Sequence, residues 1–434
     1  MKTLGLDIVT TTISAVVYDD EAGVLASRTV NNASFLPGES WERLQDPRLI
    51  LETAIFSLQE LLRDHPDAAA IGLSGQMHGI LYLNAAGEPI SPLYTWQDGR
   101  GDLPYDENRS WAAYLSEITG YSLASGFGMV THCYNLRHGL VPKDAAVLCT
   151  IQDYVAMKLS GRTAPLMDAT NAASLGLYDG PGHCFDLAAL ENACIGANML
   201  PELISDPRLG IGSLGIPVYG ALGDNQASFL GAAAGRTDVL LVNMGTGGQV
   251  SVYSPHYLQA PALETRPFPD GGWLLVGASL CGGRSYALLE SFFRQTVKMV
   301  TGMEVSAYDA MAQALETAGA VTDSPQITTL FQGTRAAPGL RGSIQDICPE
   351  NFTPLHFIYG VMQGMADELY AMYRSYLDAG GRAPTAMIGS GNGLRRNPHL
   401  CKVFADTFSC PLSLSENREE AACGAAIYAA KHCK

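Results

Sequence analysis

Asp224 stands in a Gly223-Asp224-Asn225 turn directly after the apolar run from Pro217 to Ala221. A carboxylate at a strand end can point into a cleft and take the proton of a substrate hydroxyl as that oxygen becomes a nucleophile. An Asp-Asn pair also serves simply to stabilise a turn. Two further turns have phosphate-binding chemistry. Thr10-Thr11-Thr12 offers hydroxyls, and Gly245-Thr246-Gly247-Gly248 offers a hydroxyl and closely approachable N–H groups, although such turns are often only turns. Gln76-Met77-His78-Gly79 sets an amide and an imidazole beside an apolar thioether, a combination suited to the hydroxyls and carbon skeleton of a polyol, or to a partly buried turn. In Trp96-Gln97-Asp98-Gly99-Arg100 the indole could pack on a substrate or in the core. Asp98 and Arg100 could recognise hydroxyls or form a surface ion pair.

These residues need elements that hold them. Apolar alternation predicts strands over residues 2–9, 13–19 and 23–29, with Thr10-Thr11-Thr12 as the first joining turn. Asp46 followed by Pro47 predicts a helix start, continued by Leu51, Ile55, Leu58 and Leu62 at helical spacing. Strands over 69–74 and 80–83 place Gln76, Met77 and His78 in the turn between them. The opening pattern recurs near residue 238, where strands over 238–243 and 249–253 flank the glycine-rich turn. Hairpins are common, so two copies alone do not make a repeat. A long helix is expected over 354–378 on Phe357, Val361, Met365, Leu369 and Met372. A strand over 385–388, the loop Gly389-Ser390-Gly391-Asn392-Gly393 and a helix from Pro398 follow. The small residues after Glu419-Glu420 permit a closely packed last helix. The boundary near residue 230 predicts domains over 1–229 and 230–434.

At 434 residues the chain has material for two to three domains and a cleft. Hydrophobic residues are 47% and charged ones 16%, which is globular usage. Lys and Arg number 27 against 43 Asp and Glu, and the net charge of -16 has the wrong sign for tracking a nucleic-acid backbone. ATP stays compatible, because Mg²⁺ and a few N–H groups neutralise its phosphates locally. The ten cysteines are scattered, with no C-x-x-C and no zinc-like spacing, as reduced thiols of a cytosolic protein would be. The start, MKTLGLDIV, runs straight into strand-like alternation, and no apolar run reaches the ~20 residues of a membrane span. A cytoplasmic protein without membrane or nucleic-acid partners is expected. Neither G-x-x-x-x-G-K-[ST] nor a strand-linked G-x-G-x-x-G occurs, so bound phosphates would rely on other turns.

The order of motifs resembles that of the FGGY carbohydrate kinases almost end to end. The residues are L-G-L-D (Leu4 to Asp7), T-T (Thr10, Thr11), S-G-Q-M-H-G (Ser74 to Gly79), T-W-Q-D-G-R (Thr95 to Arg100), D-A-T-N-A-A-S (Asp168 to Ser174), G-D-N-Q-A (Gly223 to Ala227), G-T-G-G (Gly245 to Gly248), G-S-G-N (Gly389 to Asn392) and E-E-A-A-C-G-A-A (Glu419 to Ala426). The resemblance implies an α/β, two-domain actin/hexokinase-like (ribonuclease H-like) ATPase fold with a cleft between the domains. It implies that Asp224 is the catalytic base and that Asp7 lies near Mg²⁺. Thr10, Thr11 and Thr12 match the first phosphate motif, Gly245, Thr246 and Gly247 the second, and Gly389, Gly391 and Asn392 the adenosine segment. Gln76, Met77, His78, Trp96 and Asp98 are then expected on the sugar, together with Asp224.

Within the family, the Gln76 and Trp96 motifs are most similar to those of members acting on sedoheptulose, with those acting on xylulose next. ATP-dependent phosphorylation of a terminal primary hydroxyl of a ketose is therefore expected, sedoheptulose giving its 7-phosphate. The alternatives are a pentulose kinase or a non-catalytic sugar or nucleotide sensor of the same fold. Family members are often homodimers. The chain departs from the family pattern at two places, with Val9 where Gly is usual and Ser14 where Lys is frequent. A β-branched residue does not comfortably take positive φ, so Val9 is expected to add about 1–3 kcal/mol of strain if the turn demands it.

Overall fold

The structure, a computed structural model, describes residues 1–434 apart from 320, 335, 336 and 338. Among other elements, the first half forms β1 (Lys2–Ile8), β2 (Thr12–Asp19), β3 (Gly23–Asn31), α1 (Pro47–Asp64), β4 (Ile71–Gly75), α2 (Ile151–Leu159), α3 (Ala169–Leu175), β5 (Arg208–Ile211), β6 (Pro217–Gly223) and α4 (Asp224–Ala232). The second half forms β7 (Val239–Met244), β8 (Gly248–Ser254), β9 (Glu264–Pro267), β10 (Trp273–Ser279), α5 (Gly282–Thr301), α6 (Pro354–Asp378), β11 (Ala386–Ser390), α7 (Pro398–Phe408), β12 (Leu412–Leu414) and α8 (Glu420–Cys433).

Two compact units result, one of Met1–Gly235, Arg266–Gly271 and Asn417–Lys434, the other of Arg236–Thr265 and Gly272–Glu416. A single cut near residue 230 therefore does not describe the packing of α8. That helix lies on β1 and β4, where the carbonyls of Ala422 and Ala425 occupy the space that a Cβ would need at Gly5 and Gly72. The small residues after Glu420 serve this close approach.

The first unit's sheet has the order β5-β6-β4-β1-β2-β3. β1 and β2 are antiparallel, as are β2 and β3, whereas β4 runs parallel to β1 and to β6. The second sheet has the order β9-β10-β8-β7-β11-β12 and belongs to the second unit except for the last two residues of β9. Here β8 is antiparallel to β7 and to β10, and β11 is parallel to β7 and to β12. With β1 and β7 taken as equivalents, each sheet joins an antiparallel meander to a parallel half. The duplication suggested by the two hairpins thus extends across both sheets.

Local signals explain the helices that brace the sheets. The Asp46 side chain accepts the Arg48 N–H, capping α1, and Pro47 occupies its first turn. The buried face of α1 centres on Ile50, Ala54, Leu58 and Leu61. Leu51, Ile55 and Leu62 are half-buried at its margin, so the apolar stripe is rotated slightly from the expected one. Leu4, Leu6 and Ile8 of β1 pack with Ile50, Ala54 and Leu58 in the first core, the burial of each Leu or Ile worth about 1.5–3 kcal/mol. In the second unit α6 buries Val361, Met365 and Leu369 as expected, with Ile358, Met362, Tyr373 and Tyr376 beside them. Among the described residues no helix is long and apolar enough to cross a membrane.

Candidate active site

In the first unit the parallel strands β1, β4 and β6 all deliver chemistry at their carboxyl ends, where ligands of open α/β sheets bind. β1 ends with Asp7 and Ile8, β4 leads into Gln76, Met77 and His78, and β6 leads into Asp224, the first residue of α4. Asp7 stands opposite Ser74 across the β1/β4 ladder, and the Ser74 hydroxyl donates to Asp7 Oδ1 at 2.8 Å. Loss of water around Asp7, together with the negative field of Asp224 and Glu419, pushes its pKa up to about 7 against the relief from Ser74. A divalent cation would relieve that excess negative charge, so Asp7 fits the Mg²⁺ that this kind of chemistry implies. Among the described residues no group of three or more His, Cys, Asp or Glu is arranged to hold a metal. Mg²⁺ commonly keeps its waters and substrate phosphates as most of its ligands, so one or two carboxylates suffice.

Asp224 is recessed, and desolvation raises its pKa above the usual carboxylate range. Two neighbours oppose the rise. The Asn225 amide donates to Asp224 Oδ1 at 2.8 Å, and the Arg266 guanidinium favours the charged form. Met77 is buried beside them, with its sulfur 3.5 Å from Asn225 Nδ2 and 3.8 Å from Arg266 Nη1. Arg266 is itself buried and comes from the short segment that joins the first unit from much further along the chain. Nothing in its local sequence marks it, and the sequence reading missed it.

His78 takes the left-handed conformation, with φ of 73°. Ser174 holds it there. The His78 N–H donates to Ser174 Oγ at 3.1 Å, and Nδ1 lies 2.6 Å from the Ser174 carbonyl. A carbonyl only accepts, so Nδ1 carries the proton. The ring also stacks on Phe127, with centroids 4.3 Å apart.

The chain enters the Thr10-Thr11-Thr12 turn with ordinary backbone at Val9, which is not among the residues with positive φ. The strain expected there is absent. Val9 N–H donates to the Thr12 carbonyl at 3.0 Å, and the Asn32 amide donates to the Val9 carbonyl at 3.0 Å. Thr10 is buried, Thr11 is exposed and Thr12 is half-buried as the first residue of β2. The Thr10 hydroxyl donates to Gln76 Oε1 at 3.1 Å, and Gln45, which the sequence reading did not single out, donates to the Thr10 carbonyl at 2.8 Å. Ser14 is buried, its hydroxyl 3.0 Å from that of Thr29, which donates to Glu419 Oε1 at 3.1 Å. A hydroxyl chain ending in a carboxylate thus occupies the position of the family's frequent lysine.

Trp96 is 46% exposed, so it is not a core residue, and its indole N–H donates to the Thr10 hydroxyl at 3.0 Å. Asp98 and Arg100 are each only 1% exposed, so they are not a surface pair either. Arg100 Nε donates to Asp98 Oδ1 at 2.6 Å and Nη2 to Oδ2 at 3.2 Å, while Arg43 N–H also reaches Oδ2. The guanidinium lies 4.2 Å from the Tyr94 ring centroid, flanked by Trp41 and Tyr134. Both oxygens of Asp98 are thereby engaged inside the protein, within this cage.

In the second unit the turn Gly245-Thr246-Gly247 joins β7 to β8 and is pinned by α5, whose Gly283 and Arg284 N–H groups donate to the Gly245 and Thr246 carbonyls at 3.0 and 3.1 Å. Gly282 permits this contact, since a Cβ there would overlap the Gly247 backbone. β11 is parallel to β7, and Asn243 donates to the Ser390 hydroxyl at 2.7 Å. Gly389 is still within β11, Gly391 follows with φ of 83°, and Asn392 opens a short helix. The Gly245-Thr246-Gly247 turn and the Gly391-Asn392 corner therefore share the carboxyl end of the parallel pair.

The chain matches the N-terminal domain of the FGGY family of carbohydrate kinases over residues 2–231 and the C-terminal domain over residues 240–433. It is 31% identical to a sedoheptulokinase of Mus musculus, with 98% of this chain and 96% of that protein covered. Identity to a sedoheptulokinase of Homo sapiens is 30% over the same shares. The solved xylulose kinase of Rhodospirillum rubrum superposes with a TM-score of 0.83 at 22% identity, covering 99% of this chain and 89% of that one. The ADP-bound glycerol kinase of Plasmodium falciparum gives 0.80 at 18%, with the same coverage. Those likenesses establish the two-domain actin/hexokinase-like ATPase fold. With both of its halves matched in order, this chain is a sugar kinase and belongs to the FGGY family of carbohydrate kinases.

Proposed function

We propose that the protein is a cytoplasmic ketose kinase that transfers the γ-phosphoryl group of ATP to the terminal primary hydroxyl of sedoheptulose. The observation that carries the choice of sugar is the 31% identity to a sedoheptulokinase along 98% of the chain. Asp224 takes the hydroxyl proton, a task suited to a recessed carboxylate whose pKa lies above the usual range. Met77 gives the carbon skeleton an apolar wall, and His78, oriented by Ser174 and Phe127, gives hydroxyls a fixed polar edge. Trp96 and Gln76 complete the sugar side through their bonds to Thr10.

Thr10, Thr11 and Thr12 in the first unit and Gly245, Thr246 and Gly247 in the second are the residues for the phosphates, and Gly389, Gly391 and Asn392 for the adenosine. Asp7 is the residue for Mg²⁺, which when bound with ATP would neutralise phosphate charge. Catalysis in this reading is mostly positioning and charge complementarity, with the proton as the main transfer that the protein performs. ADP release measured with Mg-ATP and sedoheptulose, xylulose, ribulose, fructose or glycerol tests it. The highest kcat/KM is expected with sedoheptulose, and a higher value with another sugar would overturn the choice of substrate.

A further inference from the structure

The segment Asp168 to Ser174 enters the reading above only through Ser174, yet its other side chains reach the end of β6, directly before Asp224. Asp168 caps α3 by accepting the Thr170 N–H at 2.8 Å, and its Oδ1 also accepts the Thr170 hydroxyl at 2.6 Å. The Thr170 hydroxyl proton is thereby committed, and its oxygen accepts the Gly223 N–H at 3.0 Å, one residue before Asp224. Asn171 is completely buried and spends both amide hydrogens, one on Asp153 Oδ1 at 3.1 Å and one on the Ala221 carbonyl at 3.0 Å. Its Oδ1 accepts from Gln152 at 2.9 Å, so the amide cannot be flipped without losing three bonds. The end of β6 is thus gripped on a carbonyl and an N–H by two adjacent residues. One turn further along α3, Ser174 holds His78 through its hydroxyl and its carbonyl.

We infer that α3 is a strut that fixes the spacing of the proton-accepting carboxylate and the sugar-side imidazole, with Thr170 and Asn171 positioning Asp224 and Ser174 positioning His78. The inference rests on the kinase reading for its roles and on the hydrogen bonds for its geometry. A misplacement of about 1 Å at a reacting group is enough for a 100-fold loss of rate. Thr170 and Ser174 act at different ends of the strut, so their loss separates into different kinetic constants.

Thr170→Val keeps the shape of the side chain and removes the hydroxyl. It is expected to lower kcat per folded molecule about 10- to 100-fold with the sugar KM changed less than about 3-fold. Thr170→Ser, which keeps the hydroxyl, recovers most of that loss. Ser174→Ala is expected to raise the sugar KM about 3- to 10-fold with a smaller effect on kcat. A merely structural role would lower the folded fraction in all three variants and leave these splits unseen. Hydrogen exchange of the Gly223 amide reads the grip without turnover. Its protection should fall at least 10-fold in Thr170→Val and persist in Thr170→Ser, with β1 amides unchanged. Unchanged Gly223 protection, or unchanged kcat in an active Thr170→Val protein, would overturn the strut. Absence of sugar-dependent ADP release from the unsubstituted protein would instead overturn the kinase roles, and the exchange experiment would still decide the grip.

Discussion

The indole N–H of Trp96 donates to the hydroxyl of Thr10 at 3.0 Å, which ties a residue proposed for the sugar to one proposed for the phosphates. The Thr10 hydroxyl proton goes to Gln76, the Gln76 amide goes to Gln45 at 2.9 Å, and the Gln45 amide returns to the Thr10 carbonyl. The ring Thr10–Gln76–Gln45 is closed, and each polar group in it has its donor or acceptor role set by the next.

Trp96→Phe and Thr10→Val should therefore not act independently. Each is expected to lower kcat/KM about 3- to 10-fold, and the double variant should be less damaged than the product of the two. The coupling expected from one net hydrogen bond is about 0.5–1.5 kcal/mol. Steady-state kinetics on the four proteins measure it. Strict additivity would mean that the bond carries no functional coupling.

Asp98 and Arg100 should report as stability residues first. Arg100→Met removes the cation that two Asp98 oxygens and three aromatic rings face, and strands a buried carboxylate. The expected loss is about 3–5 kcal/mol of unfolding free energy, read from urea denaturation. A variant as stable as the parent would show that the pair is not the keystone of that cage.

What the sequence disclosed was mostly local. Asp46 with Pro47 announced α1, the periodicity from Phe357 to Met372 announced α6, and the two hairpin turns announced the paired starts of both sheets. The place of Asp224 was visible because a strand, a glycine and an acid occur together, but the turn expected there is the start of α4, with Gly223 as its N-cap, and the role of Asp224 came from the order of motifs. Arg266 was invisible, because it reaches Met77 and the field of Asp224 only after the chain has left and re-entered the first unit. Gln45 was invisible for the same reason, a neutral amide whose partners lie in two other segments. Val9 misled in the other direction. A glycine is usual at that position, but the hairpin here closes with a β-branched residue outside the positive-φ set.

The acid limb of kcat/KM should follow Asp224. Desolvation raises its pKa and Arg266 holds it down, so the rate should fall as pH drops through a value above the usual carboxylate range. Removing the cation disfavours the carboxylate. Arg266→Gln is therefore expected to move the limb to higher pH by about 1 unit, and Arg266→Lys to leave it near its original position. A limb that stays put in Arg266→Gln, or moves to lower pH, would contradict that electrostatic role.

Asp153 offers a test by stability. Burial pushes its pKa up to about 7, although the Thr150 hydroxyl and the Asn171 amide both donate to it. The folded state then binds the proton more tightly than the unfolded chain, whose aspartate has the ordinary value of 3.8. The stabilising contribution is full below the unfolded value and is lost as pH rises through about 7. Urea midpoints of the parent and of Asp153→Asn at pH 5 and pH 8 should show the parent's relative advantage shrinking at the higher pH. A pH-independent difference would mean that Asp153 titrates alike in both states.

Phosphoryl transfer to a sugar should depend on Asp224 as its base. ADP release in the presence of Mg-ATP and sedoheptulose, measured for the parent and for a folded Asp224→Asn protein, tests it most directly. The parent should release ADP in response to the sugar, and kcat should fall about 100-fold or more in the variant, the usual weight of a general base. Release that Asp224→Asn leaves intact, or none from the parent with any ketose, would contradict it.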